Sequence, residues 1–96
     1  MTIKLDWELQ QNILLLRGNL NHKTLLPLWQ QSHTLLVGIN FIDVTQLQRV
    51  DSSGLALLVH LQQRSYQHGT TLTISGISEQ LKTLIKLYNL QQIIFY

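Results

Sequence analysis

The chain contains no cysteine. Disulfides and thiolate metal sites are therefore excluded. There is one proline, Pro27, among 96 residues, and no Pro- or Ser-rich stretch that would read as a linker. Charge is scarce as well. Asp, Glu, Lys and Arg make up 12% of the chain, against about 25% in ordinary soluble domains. The seven basic residues are scattered, so the electrostatic footprint of a nucleic-acid binder is missing. No apolar run approaches the ~20 residues of a membrane span. Lys4, Asp6 and Glu8 interrupt the apolar stretch that a signal peptide would need. These absences lead us to expect a cytoplasmic protein with no direct membrane insertion.

What is present is apolar. Hydrophobic residues make up 45% of the chain, enough for one small core and too many for a disordered chain. Glutamine and asparagine fill much of the remaining surface. Such a charge-poor surface suits a protein that works docked against another.

The apolar pattern divides the chain into alternating elements. Ile3, Leu5, Trp7 and Leu9 alternate with polar residues, as in a half-buried strand. Gln10 to Asn12 reads as a turn, and residues 13–18 as its hairpin partner. That second strand is apolar on both faces, which places it deep in the sheet. Leu25, Leu28, Trp29, Ser32, Leu35 and Leu36 then recur at helical spacing. Thr24 is the expected N-cap, and Gly38 ends the helix. A short buried strand at 41–45 and a loop at 46–51 lead into a helix from about Ser53 to Gln67. Residues 71–75 form a further strand. Ser78 caps a third helix, Asn89 closes it, and Ile93 to Tyr96 reads as an edge strand.

The expected fold class is thus α/β, in the order β-β-α-β-α-β-α-β. It is one domain over residues 1–96: a mixed sheet with its helices largely on one side.

The segment Asp51-Ser52-Ser53-Gly54 concentrates the chemistry. It places an acid, two hydroxyls and a glycine at a helix start, where backbone N–H groups lack partners. The simplest role for at least one serine is N-capping, worth about 1 kcal/mol. The other hydroxyl is then free for a partner or a kinase. On a wheel of 100° per residue, Leu55, Leu58, Val59, Leu61, Gln62 and Tyr66 share the core arc. Ser52, Ala56, His60, Gln63 and Gln67 lie opposite, with Ser53, Leu57 and Arg64 at the edge. The candidate partner-binding set is Asp51, Ser52, Ser53, Gly54, Ala56, Leu57, His60 and Gln63.

An enzyme is the weaker reading, and no catalytic residue is assigned. The chain has no Gly-x-Ser-x-Gly elbow. His60 stands two turns from Ser52, roughly 12 Å along the axis and beyond hydrogen-bond reach. The histidines lack metal-ligand spacing, and no phosphate-binding glycine loop is present. No metal or cofactor is expected.

Ile42-Asp43-Val44-Thr45, followed by Val50-Asp51-Ser52-Ser53-Gly54-Leu55, resembles the signature of the STAS domain family, which includes the anti-sigma-factor antagonists. The expected element order agrees with that fold. Three further segments resemble the STAS subunits of the Gram-negative lipid-asymmetry (Mla) ABC transporters: Leu25-Leu26-Pro27-Leu28-Trp29, Gly54 to Leu61, and Lys86-Leu87-Tyr88-Asn89-Leu90. The narrower resemblance implies a non-enzymatic accessory subunit. Its partner would be the transporter's ATPase (nucleotide-binding) subunit, which would hold it at the inner membrane. The broader resemblance implies the alternative, an antagonist that captures an anti-sigma serine kinase and is switched by phosphorylation at Ser52.

Overall fold

The computed structural model describes residues 4–94 and residue 96. Four strands and three helices follow one another as β1 (Leu5–Gln10), β2 (Ile13–Leu20), α1 (Leu25–Leu35), β3 (Phe41–Val50), α2 (Ser52–Gln67), β4 (Thr73–Ser75) and α3 (Glu79–Leu87). The sheet order is β1-β2-β3-β4. β1 and β2 pair antiparallel across a tight turn, in which Gln11 has φ 55°. β2–β3 and β3–β4 pair in parallel, each through a helical crossover. Ile3, expected to open the first strand, lies outside the described residues.

One face of the sheet carries the core. Leu14, Leu16 and Leu20 of β2, Ile42 and Val44 of β3, and Ile74 of β4 pack against Leu28, Leu55, Leu58, Leu61, Leu81 and Ile85 of the helices. All three helices therefore cover the same face, as the alternation along the strands requires. β2 is central and buries Leu15 on the opposite face too. That is why its sequence is apolar on both sides.

Several local expectations are corrected. Residues 46–50 are not loop. β3 continues to Val50 because β2 also runs on to Leu20, and the parallel ladder extends through Leu20↔Val50. Two register shifts, each with one extra residue on β3, accommodate the extension. β4 is shorter than expected, with Thr71 and Leu72 outside the strand. The segment beginning at Ile93 does not open as a strand. The N–H groups of Ile93 and Ile94 both donate to the Leu90 carbonyl, which closes a turn and seats Ile94 in the core. Phe95 lies outside the described residues. Leu9, expected on the buried face, is exposed at the strand end.

Thr24 does not cap α1 through its side chain. Its hydroxyl accepts from the Asn21 N–H and donates to the Asn19 carbonyl, so it fixes the turn ahead of the helix instead. The two boundary readings for α3 hold. Ser78 accepts from the Leu81 N–H at 3.1 Å, and Asn89 takes the left-handed conformation at φ 58°. Among the described residues, no helix is long and apolar enough to cross a membrane.

Candidate functional site

The N-cap of α2 is Asp51, not a serine. Its Oδ1 accepts from the Gly54 N–H at 2.8 Å, in extended backbone at φ −93° and ψ −177°. Its Oδ2 lies 3.2 Å from both the His22 N–H and His22 Nδ1. A carboxylate outcompetes a hydroxyl here because a charged acceptor makes the stronger bond and also faces the positive end of the helix. Partial burial pushes the Asp51 carboxyl up. The bonds from Gly54 and His22 outweigh that, and its pKa lies below the ordinary value.

With the cap filled by Asp51, both hydroxyls are released from that duty. Neither Ser52 nor Ser53 makes a side-chain hydrogen bond among the described residues. Ser52 is exposed, while Ser53 is half-buried. Gly54 is buried for a different reason. A Cβ there would collide with the carbonyl oxygen of Leu20 at the end of β2. Its lack of a side chain sets how closely α2 approaches the sheet. The Asp51 N–H donates to that same Leu20 carbonyl at 3.2 Å, which ties the helix start to the strand end.

The outward side of α2 meets α1 along a shallow groove of about 400 Å³. Its walls are Leu25 and Trp29 of α1 with Ser53, Ala56, Leu57 and His60 of α2. Trp29 forms one end. His60 meets its ring edge-to-face, with centroids 6.1 Å apart. The Arg64 guanidinium stacks over the same ring at 4.0 Å and donates to the Ser32 hydroxyl at 3.0 Å. The Ser32 hydroxyl in turn donates to the Trp29 carbonyl at 2.6 Å. The indole is thereby held from both sides.

Four of the eight sequence-derived site residues come together in this groove: Ser53, Ala56, Leu57 and His60. Leu57 is buried (5% exposed) and forms a wall, instead of standing at the solvent edge. Asp51 lies at the helix start beside a second groove, lined in part by His22, Lys23 and Arg49. Ser52 is exposed and does not line the groove, and Gly54 is buried against the end of β2. Gln63 lines a separate depression with Tyr66 and Ile93. Tyr66, placed on the core arc by the wheel, is 73% exposed. Gln62 does belong to the core, where its amide donates to the Leu72 carbonyl at 2.8 Å. Leu25 and Trp29 are the members missed in reading α2 alone. Their helical spacing marked them only as an apolar stripe, because a wheel shows nothing of the neighbouring helix.

The chain matches the family described as "Mlab, STAS domain" over residues 3–95. It is 40% identical over 90 residues to the intermembrane phospholipid transport system binding protein MlaB of Escherichia coli, covering 94% of this chain and 93% of that protein. It is 34% identical to the MlaB protein of Haemophilus influenzae, covering 90% and 91%. Among solved structures, the phosphorylated form of the Bacillus cell fate determinant SpoIIAA superposes with a TM-score of 0.66 at 15% identity, covering 95% of this chain and 88% of that one. The last similarity is one of fold alone, whereas the family match and the MlaB identities span nearly the whole chain: this protein belongs to the Mlab STAS-domain family.

Proposed function

We propose that this protein is a non-catalytic binding subunit of an intermembrane phospholipid transport system, and that its α1–α2 groove docks on the ATPase subunit of that system. The first part is supported by its MlaB relatives, which are named as binding proteins of such a system. The second rests on one observation above others. Asp51 caps α2, so the hydroxyl of Ser53 stands uncommitted in the wall of an apolar groove, and that of Ser52 stands uncommitted and exposed one residue before it.

The chemistry of the groove suits a protein partner. Leu25, Leu57 and the Trp29 ring offer apolar walls, and Ala56 lets a partner backbone approach closely. One apolar side chain seated there contributes about 1.5–3 kcal/mol by burial, the scale of an interface hot spot. Ser53 and His60 supply polar contacts in the groove, and Ser52 stands exposed beside them. In this reading residues 1–96 act as one STAS unit, held at the cytoplasmic side of the inner membrane through the complex.

Co-purification with the ATPase subunit tests the proposal. Wild type should bring the subunit down. Ala56→Gln, a long neutral side chain at an exposed helical position, should lower recovery at least about tenfold with melting unchanged. Recovery of wild type alone refutes the docking. Recovery with a serine kinase, together with a phosphate on Ser52 by intact mass, would replace it with the anti-sigma reading.

A further inference from the structure

The two helices that form the groove carry no acid, whereas Glu8 is paired with Arg17 on the sheet and Glu79 with Lys82 on α3. The five acidic residues of the chain are Asp6, Glu8, Asp43, Asp51 and Glu79. Asp6 and Glu8 alternate with the core residue Leu5, and Asp43 lies between the core residues Ile42 and Val44. All three therefore point from the sheet face that the helices leave open. Asp51 is the one acid at the groove end, and its oxygens are already engaged by Gly54 and His22.

Three cations border the surface formed by α1 and α2: Arg64, Lys23 and Arg49. Arg64 has only neutral partners: the Trp29 ring, the Ser32 hydroxyl and His33 Nδ1, which accepts at 2.7 Å. No carboxylate pairs with it among the described residues. At the other end of the apolar groove, Lys23 and Arg49 line a second groove of about 430 Å³. Neither forms an ion pair among the described residues.

We infer that the partner segment docking on α1 and α2 is acidic, with an apolar side chain seated beside Trp29 and carboxylates reaching Lys23 and Arg49 at one end and Arg64 at the other. The inference rests on the docking proposed above and adds the chemistry of the partner. Unpaired cations flanking an apolar slot steer a complementary acidic surface and fix its register. They would disfavour a basic or purely apolar partner by like-charge repulsion or by desolvation without compensation.

The test measures binding of the purified ATPase subunit to four proteins at two salt concentrations. They are wild type, the double variant Lys23→Glu with Arg49→Glu, the double variant Asp6→Lys with Glu8→Lys, and Ala56→Gln. All the substituted side chains are exposed, so each variant should fold. Wild-type affinity should fall about tenfold between about 0.05 M and about 0.5 M salt, mostly in the association rate. Reversing Lys23 and Arg49 should weaken binding at least about tenfold at low salt and remove most of the salt dependence. Reversing Asp6 and Glu8 on the far face should change it by less than about twofold. Salt-insensitive wild-type binding, or a Lys23/Arg49 variant that binds like wild type, overturns the acidic partner. If Ala56→Gln still abolishes binding in that case, the docking site itself stands. If Ala56→Gln also binds normally, the docking proposal falls with the inference.

Discussion

Replacing Asp51 should destabilise this protein more than replacing either serine beside it. In Asp51→Ala the Gly54 N–H loses its 2.8 Å acceptor, and the His22 N–H and ring lose theirs. Loss of an N-cap acceptor costs about 1 kcal/mol, within a range of about 0.5–2. The side chains of the His22–Asp51 pair are 66% and 38% exposed, so solvent leaves it worth only a few tenths more. The total is about 1–2 kcal/mol, or a melting decrease of about 5–15 °C for a domain of this size. Ser52→Ala removes no hydrogen bond and should stay within about 0.5 kcal/mol of wild type. Urea unfolding of both variants at neutral pH makes the comparison directly. Equal destabilisation by Ser52→Ala and Asp51→Ala would refute the assignment of the cap. A pH series adds a second check through Asp51→Asn, which keeps a capping oxygen but cannot titrate. The folded-state pKa of Asp51 lies below its ordinary value of 3.8. Its ionised form therefore stabilises the fold above about pH 5, and that contribution is lost as pH falls through the lowered folded pKa. The stability gap between wild type and Asp51→Asn should narrow below about pH 4.

Three further outcomes follow from the same geometry. Gly54→Ala should lower stability by about 1–2 kcal/mol in urea unfolding, because the overpacking against the Leu20 carbonyl outweighs the roughly 1 kcal/mol that alanine gains in a helix; a more stable variant would mean that α2 does not press on β2. Ser52→Asp should weaken ATPase binding at least about tenfold with little change in melting, since it introduces a charge beside the surface that the proposed docking desolvates; the same binding assay with a thermal melt checks both halves. Arg64→Ala should cost about 1–2 kcal/mol through the lost Trp29 stacking and Ser32 bond and should alter tryptophan fluorescence; Arg64→Lys should restore little of either, because an ammonium lacks the flat face that lies on the indole.

Much of the architecture was legible in the periodicities. Alternation through Leu5 and Trp7 and the doubly apolar run at 13–16 identify an outer and a central strand. Three- and four-residue spacings locate all three helices. Ser78 and Asn89 mark the boundaries of α3 by local chemistry alone. The departures occur where a neighbour decides. Residues 46–50 carry no strand pattern, yet they pair because β2 lies alongside to receive them. Ile93 and Ile94 look like a strand, yet the Leu90 carbonyl draws their amides into a turn. The same division runs through the site. Composition and local spacing identified Asp51 to Gly54 as the start of a helix bearing hydroxyls, and Ala56 and His60 as its outward residues. Sequence by itself determines such features because they depend on contacts within one or two helical turns. Which residue caps, which hydroxyls are left free, and which wall faces Ala56 depend on groups distant in the chain. His22 reaches Asp51 across 29 positions, Leu20 sets the seat of Gly54, and Trp29, clamped by Arg64, completes the groove. Those contacts exist only once the sheet has brought α1 and α2 side by side.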